Sequence, residues 1–337
     1  MSRRISILLL CSDLYSRAGQ PYIEIMPQKS GSENKQCSTA MSQFLSDLTL
    51  KQYAEHRILA LALNRGFLPR QWACQGERRL LENLRRQAVI QGLLKDLGLR
   101  IEKANGLQVG LLKGCALWGD IYTAGERETS DIDLFVEAGD HSRLALELEK
   151  LSFMPLKQGG QQPKTQSHKT LYVSPNFFDL TIEVHCRLWR AEPSGFRWQW
   201  RNAVHGPYLR LSVEDQLIHL CGHWIAQHTM ISLHWLFDII FWINSNNHVI
   251  DWRLVDRRGT ILRLKRSVDL ARGIYDRLED GNTAKNLGVP GLDFDFLIEP
   301  KKTLWRYWLV KHLVQESWSD ALKYDFQWLV NRLGSNP

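Results

Sequence analysis

Several common features are missing from this chain of 337 residues, and each absence narrows the class of protein. No run of 18 apolar residues occurs, so a membrane-spanning helix is not expected. The six cysteines include no Cys-x-x-Cys pair, and their spacing indicates no disulfide framework. The chain also lacks a dense stripe of Lys and Arg and a separate RNA-binding motif, which argues against nucleic acid as a partner. Together these absences predict a cytoplasmic protein.

The composition is that of an ordinary globular protein. Hydrophobic residues make up 44% of the chain and charged residues 23%, as is typical of soluble domains. The formal net charge of +7 suits an anionic partner, although the charge is spread along the chain. Most of the 13 tryptophans follow residue 180, which predicts a large aromatic-rich core in the C-terminal half.

The N-terminal segment is predicted to be a poorly ordered extension over residues 1–40. Arg3 and Arg4 precede a short apolar run from Ile5 to Cys11, as in a signal peptide. That run is at the lower length limit, however, and no small-residue cleavage site follows it. The segment from residue 28 to residue 38 is polar and rich in Ser, Gly and Lys, as disordered segments are.

The apolar pattern changes its period along the chain. Helical spacing predicts helices over 42–64 and 77–98, and again beyond residue 210. Alternating apolar and polar residues predict strands over 129–136 and 177–188. The fold class is therefore predicted to be α+β, with a mixed α/β core between two helical regions. The predicted segments are N-terminal helices over 41–99, the core over 100–190 and a helical C-terminal region over 191–337.

Two aspartates one residue apart are the most informative feature. Asp131 and Asp133 lie in a strand pattern, so their side chains share one face of the predicted sheet. Adjacent carboxylates repel, and each raises the free energy of ionising the other. A cation would relieve that repulsion, and hard oxygen ligands favour Mg²⁺ or Mn²⁺. Glu183, on a later predicted strand, is the expected third carboxylate.

A second motif, Lys113-Gly114-Cys115, follows a short apolar run over 107–112 that predicts a buried strand, and it opens a predicted helix. Gly114 has no Cβ, so its backbone could approach a phosphate closely. The free N–H groups at the start of the helix would also face that anion. Lys113 and Arg127 are the predicted phosphate-facing cations. Lys113, Gly114, Cys115 and Arg127 are therefore the predicted nucleotide contacts.

These motifs together resemble a known family over residues 45–330. The motifs are Lys113-Gly114, Tyr122, Arg127, Asp131-Ile132-Asp133-Leu134, Ile182-Glu183-Val184-His185, His223 and the stretch from Leu233 to Ile239. They resemble the uncharacterised nucleotidyltransferases of the DNA polymerase β-like superfamily. The resemblance implies a nucleotidyltransferase fold with Asp131, Asp133 and Glu183 as metal ligands. The superfamily's Gly-Ser pair appears here as Gly114-Cys115.

The function predicted on these grounds is metal-dependent nucleotidyl transfer. The enzyme would move a nucleoside monophosphate from an NTP to an unidentified acceptor and release pyrophosphate, with Mg²⁺ or Mn²⁺ as the cofactor. The acceptor is predicted to be a small molecule, a saccharide or a protein. Two alternatives stay open. One is a phosphotransferase or a protein AMP-transferase, and the other is a non-catalytic module that binds nucleotide or protein.

Several residues have more than one interpretation. His185 shares a face with Glu183 and could orient that acid, contact substrate or make a structural hydrogen bond. His219 and His223 have the i, i+4 spacing of zinc ligands, but no third ligand follows, so packing is favoured. Asp238 lies in an apolar helical run. A buried carboxylate needs a partner, so a structural salt bridge is predicted there.

Overall fold

The computed structural model describes residues 44–156, 169–177, 180–189, 192–203, 206–280 and 287–317, with 319, 321–322 and 325–326 beyond them. The extension predicted over residues 1–40 lies outside the described residues. Within these ranges, helices and one mixed sheet form the predicted α+β fold. No helix there is both long enough and apolar enough to cross a lipid bilayer.

The helices before the sheet include α1 (Leu50–Glu55), α2 (Leu59–Asn64) and α3 (Ala73–Lys103). Thr49 begins α1 with a capping box. Its hydroxyl accepts from Gln52 N–H at 3.3 Å, and the Gln52 side chain accepts from Thr49 N–H at 2.8 Å. Helix α3 runs for 31 residues, longer than the sequence pattern predicted. Its apolar stripe joins the main core through Ile90, Leu93, Leu94, Leu97 and Ile101.

Seven strands of the described residues form one sheet: β1 (Gly110–Leu111), β2 (Asp131–Phe135), β3 (Met154–Pro155), β4 (Lys169–Val173), β5 (Thr181–His185), β6 (Trp200–Asn202) and β7 (Leu209–Leu211). Their order across the sheet is β3-β4-β5-β2-β1-β7-β6. β2 runs parallel to β5 and antiparallel to β1. Short helix α4 (Lys113–Leu117) follows β1, and α5 (His141–Glu149) follows β2. The two predicted acid-bearing strands are therefore neighbours at the centre of the sheet.

The alternation in β2 and β5 separates an apolar face from a polar face. Ile132 and Leu134 are fully buried, as are Ile182 and Val184, and all four belong to the main hydrophobic core. The intervening residues point to the opposite face of the sheet because strand side chains alternate. The core therefore fixes which residues of β2 and β5 face away from it.

The sheet extends beyond the predicted boundary of the α/β core at residue 190. β7 pairs in parallel with β1 through Leu209 and Gly110, and β6 pairs with β7. This segment falls within residues 191–337, which were predicted to be helical. Strands of three residues are too short to show a period of two, so only their pairing with β1 reveals them.

The remaining described elements are helical: α6 (Val213–Cys221), a π-helix (Gly222–Gln227), α7 (Leu233–Asn246), α8 (Trp252–Ile261), α9 (Lys265–Glu279), α10 (Phe294–Ile298) and α11 (Leu304–Leu313). Ser212 begins α6, and its hydroxyl accepts from Asp215 N–H at 3.3 Å. The fully buried Trp224 and Trp242 lie in this region. The aromatic-rich C-terminal core is thus confirmed.

Helix α3 also holds the loop that leads into β2. Gly125 has φ +78°, which favours glycine, and a Cβ there would lie 2.8 Å from Leu80 and from Leu84. The Gly125 N–H donates to Gln87 at 2.8 Å, and its carbonyl accepts from Asn83 at 3.0 Å. Both backbone polar groups of this buried loop residue are thereby satisfied by one helix.

Candidate active site

The predicted carboxylates lie together on one face of the sheet. The parallel register sets Asp133 beside Glu183, and Asp131 lies two residues earlier on the same face of β2. Asp133 is only 3% exposed, whereas Asp131 and Glu183 are half-buried. Backbone pairing therefore brings a carboxylate from each of two strands into contact distance.

Two lysines neutralise part of this negative charge. Lys113 Nζ lies 2.5 Å from Asp133 Oδ1 and 4.0 Å from Glu183 Oε2. Lys169 Nζ, from β4, lies 2.6 Å from Glu183 Oε1. Lys113 was predicted to face phosphate, and the structure places its ammonium on the carboxylates. We call Lys113, Asp131, Asp133, Lys169, Glu183 and His185 the strand cluster.

His185 lies between the two paired acids. Its Nε2 lies 3.0 Å from Asp133 Oδ1 and 3.5 Å from Glu183 Oε2. One ligand atom from each of Asp133, Glu183 and His185 lies within 4.8 Å of the others, as a metal site requires. Asp131 is outside this group, and its Oδ1 accepts from the Ser130 hydroxyl at 3.2 Å.

The carboxyl groups differ in their electrostatic surroundings. Burial alone would raise the pKa of Asp133, but Lys113 and then His185 outweigh it and hold that pKa far below its usual range. Burial would likewise raise the pKa of Glu183, but hydrogen bonds with His185 and Lys169 outweigh it and hold that pKa at about 2. Burial and the charge of Asp133 raise the pKa of Asp131. Asp131 is therefore the least compensated acid of the cluster.

The backbone at Lys113 and Gly114 is unusual. Lys113 has φ +48°, a left-handed conformation that costs about 1–3 kcal/mol in a residue other than glycine. A Cβ at Gly114 would lie 2.9 Å from Thr129 Oγ1. In this structure Gly114 therefore allows Thr129 to approach its backbone closely. The sequence predicted a close approach of phosphate at this position. Helix α4 has only five residues, so it offers a weak dipole.

Cys115 is a core residue. Its side chain is buried, and Sγ lies 3.9 Å from the Asp131 carbonyl. Burial, followed by the charge of Asp133, raises the pKa of this thiol well above its usual value. The thiol is therefore neutral. The nucleotide contact predicted for Cys115 would have to come from its backbone.

A second charged group lies apart from the carboxylates. Arg127 donates from Nε to Asp238 Oδ1 at 2.7 Å and from Nη2 to Asp238 Oδ2 at 2.8 Å, while Tyr122 Oη donates to Oδ1 at 2.8 Å. Burial lowers the pKa of Arg127, but Asp238 more than offsets this, so the net shift is upward. We call these three residues the buried clamp. The salt bridge predicted for Asp238 is confirmed.

The clamp changes the interpretation of Arg127, which was predicted to face phosphate. Arg127 is only 7% exposed, and its guanidinium is already paired with a carboxylate. A phosphate contact would require this bidentate pair to break inside the protein. Such pairs combine geometric fit with charge, so Arg127 holds the loop before β2 against α7 in this structure.

A group of rings from the C-terminal region includes His223 and Trp235, which belong to the motifs quoted above, and His228, which the sequence did not single out. Ring centroids of His223 and His228 are 4.5 Å apart, and Trp235 stacks on His228 at 4.6 Å. His223 and His228 are five positions apart, which an α-helix would place about 140° apart around its axis. In the π-helix between them, hydrogen bonds link residues five positions apart, which brings the two rings closer around the axis. The i, i+4 pair His219 and His223 was visible in the sequence, but the π-helix was not.

These rings are uncharged and lie within electrostatic range of the strand cluster. Burial, and then the charge of Lys113, lower the pKa of His219 to about 3 and that of His228 to about 4. Within the described part of the chain, the one group of possible metal ligands is Asp133, Glu183 and His185, and it does not include His219 or His223. We call His219, His223, His228 and Trp235 the ring wall.

Comparisons with known proteins complete the description of the site. A family model described as "Uncharacterised nucleotidyltransferase" matches residues 44–279, more than half of the chain. A crystal structure of ANT(2'')-Ia in complex with adenylyl-2''-tobramycin is similar at 14% identity, over 55% of this chain and 97% of that chain, with a TM-score of 0.29. A solution structure of the antibiotic-resistance factor ANT(2'')-Ia has 14% identity, coverage of 58% and 90%, and a TM-score of 0.30. Such low scores support no conclusion about substrate. No curated protein matches the chain.

Proposed function

Because the chain belongs to the uncharacterised nucleotidyltransferase family, we propose that it transfers a nucleoside monophosphate from an NTP to an acceptor. The acceptor hydroxyl would lose its proton to solvent, and its oxygen would form a bond to the α-phosphorus. The bond between that phosphorus and the oxygen that bridges to the β-phosphate would break, and pyrophosphate would leave. The observation that carries the proposal is the pairing of Asp133 with Glu183 on adjacent strands, with Asp131 on the same face.

The carboxylates fit the divalent cation that such a reaction needs. Asp131, Asp133 and Glu183 supply hard oxygen donors on one face, and they carry more negative charge than Lys113 and Lys169 neutralise. When bound, a cation such as Mg²⁺ or Mn²⁺ neutralises the triphosphate and polarises its phosphoryl oxygens. In this proposal Asp131, Asp133 and Glu183 are the residues that hold the cation.

Lys113 is the proposed phosphate ligand of the chain itself. Its ammonium is bound to Asp133 through a flexible four-carbon stem, and its side chain is 14% exposed. When an NTP enters, Lys113 would exchange the carboxylate for a phosphate oxygen. Gly114 and the backbone of Cys115 follow Lys113 directly and would lie along the triphosphate.

The acceptor would be aligned by the C-terminal helices. The ring wall offers half-exposed faces at His228 and Trp235 and uncharged imidazoles at His219 and His223. Its electrostatic coupling to Lys113, Asp133 and Glu183 supports a place beside the strand cluster. A small molecule, a saccharide or an exposed protein side chain could supply the hydroxyl group.

The test uses NTPs labelled separately in the α- and γ-phosphates. The protein, a cell extract and Mg²⁺ or Mn²⁺ are incubated together, and the labelled product is identified by mass spectrometry. Label from the α-phosphate is expected in the acceptor. The double variant Asp131→Asn/Asp133→Asn should abolish transfer, while the exposed control Asp269→Asn should retain it. Unchanged turnover in the double variant would contradict the proposal.

The same assay separates the alternatives. Transfer of the γ-label indicates a phosphotransferase, because that reaction moves the terminal phosphate. Added AMP on a protein acceptor indicates a protein AMP-transferase. Calorimetry that detects NTP binding without any dependence on divalent cations, together with no transfer of either label, indicates a non-catalytic binding module.

A further inference from the structure

The imidazole between the paired acids has a role beyond positioning them. The geometry points to His185 as a direct ligand of the metal ion, together with Asp133 and Glu183, so that the site takes Mn²⁺ in preference to Mg²⁺. This inference rests on the proposed function only in that both require a cation at these carboxylates. It departs from the sequence prediction and from the ligand set of the proposed function, in both of which Asp131 takes the place that His185 has here.

The distances between the donor atoms fit one coordination sphere. His185 Nε2 lies 3.0 Å from Asp133 Oδ1 and 3.5 Å from Glu183 Oε2. Adjacent ligands in an octahedron with bonds of about 2.1 Å are about 3.0 Å apart. All three donor atoms lie within 4.8 Å of one another, and Asp131 does not join that group. The one cation position defined by the described residues is therefore bounded by two oxygens and one nitrogen.

The donor chemistry sets the preference among metals. Mg²⁺ favours oxygen ligands and keeps several of its waters, whereas imidazole suits transition metals. Mn²⁺ accepts both carboxylate and imidazole donors. Replacing a third carboxylate with His185 thus weakens Mg²⁺ more than Mn²⁺. Zn²⁺ and Co²⁺ should also be preferred over Mg²⁺, because the affinity of a nitrogen ligand for a divalent metal rises along the first transition row.

Two contacts of Asp133 within the strand cluster must change when the metal binds. Lys113 Nζ lies 2.5 Å from Asp133 Oδ1, where it acts as a replaceable counterion. His185 Nε2 lies 3.0 Å from Asp133 Oδ1, and because an ionised carboxylate can only accept, Nε2 would carry the ring hydrogen before the metal binds. Ligation needs Nε2 without its hydrogen, so the ring would take the tautomer protonated on Nδ1.

The test measures Mn²⁺ bound to the full chain without nucleotide. Titration followed by the electron paramagnetic resonance of free Mn²⁺ gives the dissociation constant, and competition gives that of Mg²⁺. Pulsed measurements on bound Mn²⁺ should show coupling to an imidazole nitrogen. Uniform ¹⁵N labelling of histidine should change that coupling in the unmutated chain. This measurement requires no variant to fold.

A matched pair of variants assigns the nitrogen. His185→Asn should remove the coupling and weaken Mn²⁺ binding by at least about tenfold, with a smaller change for Mg²⁺. His141→Asn, on α5, should leave both the coupling and the affinity unchanged. Circular dichroism checks that each variant is folded.

The outcomes separate this inference from the proposed function. Bound Mn²⁺ without nitrogen coupling overturns the inference, and so does an equal loss of Mn²⁺ and Mg²⁺ affinity in His185→Asn. Nucleotidyl transfer would then still stand or fall on the labelling assay. Conversely, nitrogen coupling with no nucleotidyl transfer supports His185 as a ligand and contradicts only the proposed function.

Discussion

The buried clamp and the strand cluster are both built from charged residues, but their charges are arranged differently. In the clamp one guanidinium meets one carboxylate through two hydrogen bonds, and Tyr122 adds a third. In the strand cluster three carboxylates face two ammonium groups and an imidazole. The clamp is balanced, and the strand cluster has excess negative charge. A balanced buried pair holds elements together, whereas an unbalanced cluster can receive another cation.

The cations also differ in their freedom to leave. Arg127 is fixed by its planar bidentate contact and is almost fully buried. The Lys169 side chain is 50% exposed, and Lys113 is attached by a flexible stem. Exchange of partners is therefore possible at the strand cluster and strongly unfavourable at the clamp. Three substitutions and one change of pH test how the buried clamp, the strand cluster and their surroundings differ.

The largest effect is expected from breaking the clamp. Asp238→Ala leaves the buried guanidinium of Arg127 without its counterion, and removal of one partner of a buried pair costs about 3–5 kcal/mol. Urea denaturation should show that loss in the free energy of unfolding. The control Asp269→Ala, which loses an exposed contact with Lys265, should change it by less than about 1 kcal/mol. A loss at Asp238 no larger than in the control would show that the clamp is not structural.

Acid should destabilise the fold through the ring wall, which belongs to neither cluster, because its buried imidazoles resist protonation in the folded protein but not in the unfolded chain. His219 is buried and has a pKa of about 3 in the folded protein, against 6.5 for the ordinary value. The unfolded chain therefore binds more protons below pH 6.5, and stability falls as the pH drops from there toward 3. Between pH 8 and pH 5 this residue should account for about 2 kcal/mol.

The groups that face His219 through their charges are Lys113, His185 and Asp133. Denaturation at pH 8, 6.5 and 5 measures the loss, and His219→Gln should remove that residue's share. If the variant loses as much stability as the unmutated protein over this range, His219 is not buried in its neutral form.

Replacing the mobile cation of the strand cluster should improve metal binding. Lys113→Met removes the ammonium that competes for Asp133 while keeping an unbranched side chain of similar length. Mn²⁺ affinity without nucleotide should rise about tenfold, which corresponds to about 1.4 kcal/mol. NTP affinity should fall, since the proposed phosphate ligand is lost. Calorimetry with each ligand alone measures both changes, and weaker Mn²⁺ binding would contradict the exchange model.

The smallest effect is expected at Thr129, which lies between the buried clamp and the strand cluster along the chain. Thr129 lies on the segment from Arg127 to Asp131, and its buried Oγ1 has no hydrogen-bond partner among the residues that the structure describes. Thr129→Val keeps the shape and removes that unsatisfied oxygen, so stability should change by less than about 1 kcal/mol and not fall. Thermal denaturation and Mn²⁺ titration are the readouts. A clear drop in either would mean that Thr129 makes a polar interaction essential to one cluster.

Local pattern was enough to predict the shared face of the strand cluster. Asp131 and Asp133 alternate with buried Ile132, and Glu183 repeats that arrangement on β5. The parallel register that aligns Asp133 with Glu183 depends on long-range pairing, which no local period contains. The position of His185 between those acids follows from the same register and was therefore left open.

Long-range contacts explain the rest of what the sequence could not predict. Arg127 and Asp238 are 111 positions apart, so the need of Asp238 for a partner was predictable but the identity of that partner was not. Without that pairing, Arg127 was indistinguishable from a phosphate ligand. The short strands β6 and β7 and the π-helix likewise depend on their tertiary surroundings.

The Arg127–Asp238 pair has a consequence for how this protein can be divided and recombined. The loop that enters β2 is held by a helix far outside the predicted core of residues 100–190. A fragment ending at residue 190 would contain an orphaned buried guanidinium and would lack β6 and β7. The sheet and the C-terminal helices therefore form one structural unit. A chimera that keeps Arg127 should be stable only where its C-terminal part supplies a carboxylate at the position of Asp238.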